Sequence, residues 1–226
     1  MLNLPPEFKN LVSADARIKY YSNNYFKQLF LQRFFEKAFY LVETSSPGSI
    51  IEVGCGDGLA GYLLKQKFKG ISYLGADIRK AELLAAAKVL GPDLLMLNAA
   101  DLPFEDNSFD LALFLEVFEH AGDWERLVQE GIRVSARALI FSVPAFPWYQ
   151  VSNLVFGKNL SRLGEHPDHI NQFTFKGLQG KIEQAIKKSD KIANKAKAIE
   201  IDCSFPWAIG KIVVQDREQS GGQKLS

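Results

Sequence analysis

The stretch Ile50-Ile51-Glu52-Val53-Gly54-Cys55-Gly56-Asp57-Gly58 reads as a buried strand that breaks into a glycine turn and enters a helix. Glycines at alternate positions let the backbone turn tightly and approach a ligand with no Cβ in the way. An acid, Asp77, follows about twenty residues later, where a doubly wound sheet ends its second strand and offers a carboxylate to a ribose. The combination points to a cofactor that carries a nucleoside.

Outward from the turn the elements alternate. Strand 50–53 leads to helix 59–68, where Leu59, Leu63 and Leu64 share a face and Gly70 supplies a stop. Strand 72–76 ends at Asp77, helix 80–90 is stopped by Gly91-Pro92, and the short run 94–97 reads as a third strand. Residues 109–115 form a near-continuous apolar run, the pattern of a strand buried on both faces. Gly122-Asp123 caps a helix carrying Leu127, Val128, Gly131 and Ile132, and strand 137–143 is closed by Pro144. This repetition predicts an α/β fold with a doubly wound, mostly parallel sheet and right-handed crossovers.

Upstream, helical spacing over 24–43 (Phe26, Leu29, Phe30, Phe34, Ala38, Leu41), with Leu31, Phe35, Phe39 and Tyr40 widening the apolar face, predicts one helix. It either packs on the sheet or forms a lid, with Tyr20, Tyr21 and Tyr25 as polar-tipped aromatics at its entrance. Downstream, 145–171 is aromatic-rich without a period, a length of loop that usually carries function. Thr174 caps a helix with Leu178, Ile182, Ala185 and Ile186 inward; 187–197 reads as a solvated helix end or loop. Segments 198–204 and 211–215 read as the last strands. The expected organisation is an N-terminal helical cap over 1–46, the main domain over 47–216 and a disordered tail over 217–226.

A chain of 226 residues, 47% hydrophobic and 23% charged, suits one domain with a small appendage. The net charge of +1 gives no pull toward nucleic acid or an anionic membrane. Cys55 and Cys203 make no metal-ligand cluster, no metal site is assigned, and a reduced cytoplasmic setting is the simpler reading. No apolar run approaches the ~20 residues of a membrane span, and no secretory pattern opens the chain.

The glycines run G-x-G-x-G, where dinucleotide folds use G-x-G-x-x-G. Asp57 inside the turn would repel a pyrophosphate, whereas beside a sulfonium and an amino group it is favourable; Glu52 adds a second negative charge. Electrostatics therefore favour a cationic cofactor.

Glu52-Val53-Gly54-Cys55-Gly56-Asp57-Gly58 resembles motif I of the class I S-adenosylmethionine-dependent methyltransferases. Leu115-Glu116-Val117-Phe118-Glu119-His120 is similar to the end of strand four in the type-11 subgroup. The resemblance covers roughly 49–144 and implies a seven-stranded sheet with its last strand antiparallel. It implies that Gly54, Gly56 and Gly58 line the methionine moiety, with Glu52 nearby. Asp77 would take the ribose hydroxyls and Ile78 would pack on the adenine. Asp101 would accept from the adenine amino group with Leu102 as apolar neighbour, and Glu116 and Val117 would approach the methionine end. Local alternatives stay open: Asp77 as a helix cap, Asp101 as a turn residue, Glu116 as a paired buried acid, and Gly58 as a packing requirement.

Methyl transfer from a sulfonium asks chiefly for alignment and exclusion of water. Where the acceptor is a hydroxyl or a protonated amine a base helps, and His120 and His169 are the catalytic candidates, with Glu119 and His166 beside them. The Asn/Asp-Pro-Pro-aromatic segment of enzymes acting on nucleobase amino groups is absent after the fourth strand. The reading is a methyltransferase for a small molecule or biosynthetic intermediate, saccharide and lipid-linked ones included. The alternatives are an NAD(P)-dependent oxidoreductase and a non-catalytic nucleoside-binding protein.

Overall fold

The computed structural model describes residues 4, 8–11, 17 and 20–214. The expected tail lies outside the described residues, as does most of the segment before residue 20. Eight strands form the sheet: β1 Ser49–Val53, β2 Ser72–Asp77, β3 Leu94–Met96, β4 Phe109–Leu115, β5 Ser135–Phe146, β6 Phe173–Thr174, β7 Ala196–Ser204 and β8 Trp207–Val214. Their order is β3-β2-β1-β4-β5-β8-β7, with two-residue β6 paired beside the end of β5. Pairing is parallel from β3 to β5, and β8 inserts antiparallel between β5 and β7.

Among the described residues, besides the single turn Phe8–Leu11, the helices around the sheet are α1 Tyr25–Ser45, α2 Leu59–Lys67, α3 Lys80–Leu90, α4 Trp124–Val134, α5 Trp148–Val155, α6 Phe175–Lys187 and α7 Asp190–Lys195. Two core layers result from the period of two along each strand. Ile50, Leu111, Leu113, Ala138 and Ile140 face α1, α2 and α3. Their neighbours Ile51, Ala112, Phe114, Leu139 and Phe141 face α4, α6 and α7. Because both faces are covered, the central strands read as continuous apolar runs.

Capping agrees with the sequence at Asp123 and Thr174, and Asn24, read as the first helical residue, is a cap as well. Asn24, Asp123 and Thr174 each accept a backbone N–H from the third residue onward, at Lys27, Arg126 and Gly177. The inward face of α1 is as wide as expected, with Leu31, Phe34, Phe35, Ala38, Phe39 and Leu41 buried together with Val42; Phe26 and Tyr40, also counted on that face, are exposed. Phe34 stacks against Trp207 at a ring separation of 5.0 Å, so α1 shares its core with the sheet.

Four segments depart from expectation. Pro144 does not close β5; it pairs across to Trp207, and Ala145 N donates to Pro206 O at 3.0 Å, so the ladder continues to Phe146. The last strand begins at Trp207, since Gly210 there is room for a ring instead of a break. A Cβ built on Gly210 would lie 2.3 Å from Phe141 Cζ. The region 145–171 contains α5. Residues 187–197 hold α7, which is not a solvated end. Lys195 Nζ donates to the carbonyls of Ile132 and Arg133, at 2.7 and 2.6 Å, and so neutralises the C-terminus of α4. Burial pulls the pKa of Lys195 down to about 8.

Candidate active site

The site lies where β1, β2, β4 and β5 end, at the point where the strand order reverses from β1 to β4. Open α/β sheets bind ligands there. All three glycines of the turn have positive φ: Gly54 +76°, Gly56 +53° and Gly58 +85°. Their reasons differ. A Cβ on Gly54 would sit 2.5 Å from Val117 Cγ2, and one on Gly58 would strike Leu90 and Ala86 of α3. Gly58 thus serves strand–helix packing, while Gly56 faces open space.

Asp77, buried at the end of β2, accepts Gly56 N on Oδ2 at 3.0 Å and Arg79 N on Oδ1 at 2.8 Å. Each oxygen keeps a further lone pair for a hydroxyl. A crevice of about 540 Å³ opens beside it, lined by Gly54, Ile78, Asn98, Ala99, Ala100 and Val117 among others. Ile78 is 67% exposed at its edge, a large apolar surface left for a planar ligand to cover. Asp77, Glu116, Asp123 and Asp168 face the crevice against a single arginine, Arg79. That balance suits a cation and disfavours a pyrophosphate.

Asp101 and Leu102 do not line this crevice. Asp101 is exposed on a turn whose N–H returns to Asn98 O at 3.2 Å, and Leu102 is buried in the second core layer. The turn begins with Asn98 Oδ1 accepting Ala100 N, so Asn98, Ala99 and Ala100 present themselves instead. Glu52 lies behind the turn, in a cavity of about 100 Å³ shared with Tyr20, Asp57 and Glu116. Burial pushes its pKa up to about 8, although the Tyr73 hydroxyl donates to it. Burial and the nearby carboxylates of Asp57 and Glu52 likewise hold the Tyr20 phenol well above its ordinary value. Of the three entrance tyrosines, Tyr20 reaches the site while Tyr25 is exposed.

Glu116 closes β4 with φ +60°, a strained conformation for a residue with a side chain. Ser142 Oγ donates to its Oε1 at 2.9 Å and Trp207 Nε1 to its Oε2 at 2.6 Å. On its far side a second cavity of about 390 Å³ is lined by Phe30, Glu119, His120, Tyr149, Phe156 and His169, among others. Glu116 and His120 face both large cavities.

Residues 51–138 match the family model described as a methyltransferase domain. That match supports a class I, type-11 methyltransferase domain over this stretch. Over 99 residues it is 32% identical to norajmaline N-methyltransferase of Rauvolfia serpentina, which covers 41% of this chain and 34% of that enzyme. Over 93 residues it is 37% identical to the chloroplastic tocopherol O-methyltransferase of Arabidopsis thaliana, 38% of this chain and 27% of that one. The chain thus spans about a third of the length of these curated relatives. A Thermotoga maritima structure described as an S-adenosylmethionine-dependent, possible histamine N-methyltransferase superposes with TM-score 0.60 at 16% identity. That alignment covers 84% of this chain and 95% of that one, and it shows the shared fold. The cofactor implied by the domain is S-adenosylmethionine.

Further side chains hold this site in place. Ser142 and Trp207 fix Glu116, and Asn171 ties the long loop to the end of β4. Asn171 Nδ2 donates to Phe118 O and Ala121 O at 3.0 and 2.6 Å, while Ile170 N and Asn171 N both donate to Glu119 O. That staple puts His169 beside His120, with ring centres 5.0 Å apart. Burial, with His120 close by, lowers the pKa of His169 to about 4, so its ring is neutral at physiological pH. Two signals for these contacts stand in the sequence: the lone polar Ser142 inside the apolar run of β5, and the His169-Ile170-Asn171-Gln172-Phe173 segment before the last long helix.

Proposed function

We propose that this protein transfers the methyl group of S-adenosylmethionine to a small molecule held in the 390 Å³ cavity. One observation carries the reading: the crevice suited to the cofactor and the second cavity meet at a common wall made by Glu116 and His120. When bound, the sulfonium supplies an activated methyl group and leaves as a neutral thioether, so the chain's task is alignment and exclusion of water. Asp77 and Ile78 would hold the ribose and adenine, and Asn98, Ala99 and Ala100 would form the adenine wall in place of Asp101 and Leu102. Gly54, Val117 and the fixed Glu116 would set the methionine end, with Glu52 behind it. His120 and His169 face the acceptor, and His169 offers it a lone pair without a charge.

The relatives named above are a norajmaline N-methyltransferase and a tocopherol O-methyltransferase, which supports a small organic acceptor. The aromatic lining from Phe30, Tyr149 and Phe156 supports one with apolar or planar surface. The net charge of +1 supports an acceptor other than nucleic acid. No helix among the described residues is long and apolar enough to cross a membrane. Two unpaired cysteines, one buried and one exposed, support a cytoplasmic setting. The contacts of α1 support a cap that belongs to the same body as residues 47–216.

Calorimetric titration with S-adenosylmethionine and, separately, with NADH tests the reading. The first should bind and the second should not. Asp77→Ala should weaken cofactor binding by about 10- to 100-fold, the worth of hydrogen bonds to a charged group. Binding of NADH alone, or an unchanged affinity in the variant, would remove the assignment.

A further inference from the structure

The chain has three histidines, and all three meet in the acceptor cavity although 49 residues of sequence separate His120 from His169. The ring centres of His120 and His166 each lie 5.0 Å from that of His169, and 6.1 Å from one another. Beside them Glu119 is 1% exposed, and its Oε1 stands 3.9 Å from His120 Nε2. That is too long for a direct hydrogen bond. It matches the ~3–4 Å separation of two ligands that share one ion at bonds of about 2.1 Å. One donor atom each from Glu119, His120 and His169 falls within 4.8 Å of the others.

The outer contacts fix which nitrogen is offered. His120 Nδ1 lies 3.0 Å from the Asp168 carbonyl and His169 Nδ1 lies 2.9 Å from Glu165 Oε1. Both partners can only accept, so each Nδ1 donates outward and each Nε2 is the nitrogen left to face the cavity. Glu165 is itself held by the side-chain amides of Gln150 and Gln172. A carboxylate or carbonyl behind the ring is the arrangement that orients histidine ligands in metal sites. A buried carboxylate at the floor of the same cavity is stabilised most by a cation.

We propose that Glu119, His120 and His169 form a binding site for one divalent first-row transition ion, with open coordination positions facing the acceptor cavity. Two imidazoles and one carboxylate suit Mn²⁺, Fe²⁺, Co²⁺ or Zn²⁺ and leave room for further ligands. The sequence reading assigned no metal, because the cluster exists only once the loop is stapled to the end of β4. Resting on the methyltransferase reading, the site names an acceptor class: molecules with two adjacent oxygen donors, such as vicinal hydroxyls. An ion-bound hydroxyl releases its proton to solvent near neutral pH. Its oxygen then forms the bond to the methyl carbon while the carbon–sulfur bond breaks and its electron pair stays on sulfur.

The test is titration of the whole protein with Co²⁺, followed by its visible d–d absorption and by calorimetry, in parallel with S-adenosylmethionine. One ion per chain is expected. His169→Gln and the isosteric Glu119→Gln should each weaken Co²⁺ binding by about tenfold or more, and Glu165→Gln by a similar factor through the ring it orients. Circular dichroism of the variants without metal separates lost ligation from lost folding, and a variant that binds the methyl donor normally is folded at the site. Absence of Co²⁺ binding in protein that binds S-adenosylmethionine overturns the ion site and leaves the functional reading intact. Binding that survives both ligand substitutions places the ion elsewhere and also overturns it. Failure to bind the methyl donor, with Co²⁺ still bound, counts against the functional reading instead.

Discussion

The Tyr73 hydroxyl donates a 2.5 Å hydrogen bond to the Glu52 carboxylate, and both side chains are buried beneath the glycine turn. Burial raises the pKa of Glu52 to about 8, with Asp57 and Asp77 pushing in the same direction. The unfolded carboxyl titrates near ~4.3. Its contribution to stability is therefore complete below that value and is lost as pH rises through about 8. Glu52→Gln should raise the melting temperature relative to the native chain more at pH 8.5 than at pH 5, on the order of a few degrees. Thermal melts with parallel pH slopes in the two proteins would contradict this origin.

Gly58 and Gly56 should respond differently to the same substitution. An alanine at Gly58 combines positive φ with contact on Leu90 and the Ala86 backbone, so a loss of about 1–3 kcal/mol is expected. At Gly56 the added Cβ meets nothing, and only the conformational cost of about 1–2 kcal/mol applies. Urea unfolding of both variants should rank Gly58→Ala lower. Equal midpoints would show that α3 yields around the new methyl.

Arg133 clamps the loop that follows the crevice wall to α4. Its guanidinium donates to both oxygens of buried Glu130 and to the carbonyls of Leu102 and Phe104. Against the burial that pushes it up, these bonds and that from Leu102 N hold the Glu130 carboxyl below its ordinary range. Arg133→Met should cost about 3 kcal/mol, because it strips a buried carboxylate of its main partner. Adding Glu130→Gln should recover part of that loss. The folded-state pKa of Glu130 is lowered, so the native pair contributes above the ordinary carboxyl range and loses its contribution as pH falls. Acid-unfolding midpoints of the single and double variants check both statements.

Asn171 reaches two carbonyls at the end of β4, those of Phe118 and Ala121. Asn171→Ala should cost about 1–3 kcal/mol by leaving these acceptors short of a donor. It should loosen the acceptor cavity while the crevice beside Asp77 stays intact. The expected kinetic signature is a raised KM for the acceptor with unchanged S-adenosylmethionine affinity. Loss of cofactor affinity to the same degree would show that the loop supports both cavities.

Much of the fold could be read from local pattern. Helix α3 and strand β4 have the predicted limits, and Asn24, Asp123 and Thr174 cap the predicted helices, because these signals involve neighbours within one turn or one pleat. The parts misread were those whose residues serve a distant partner. Residues 207–210 fall outside the strand expected over 211–215 yet belong to β8, where Gly210 leaves space for Phe141; Pro144 looks like a stop and sits inside the β5–β8 ladder.

The site divides in the same way. By itself the sequence determined the glycine turn and the carboxylate at the end of β2, because both are set within one β-α-β unit of consecutive residues; Glu52 and Asp57, read there as charges facing a cation, lie behind the turn, and the crevice takes its acids from Asp77, Glu116, Asp123 and Asp168. Tertiary structure alone decided that Asn98, Ala99 and Ala100 replace Asp101 at the crevice, that Ser142 and Trp207 fix Glu116, and that Glu119, His120 and His169 meet. Side chains 26 to 91 positions apart along the chain come together only when strands cross over and a loop is pinned by its own backbone. No period or spacing in the sequence records that closure.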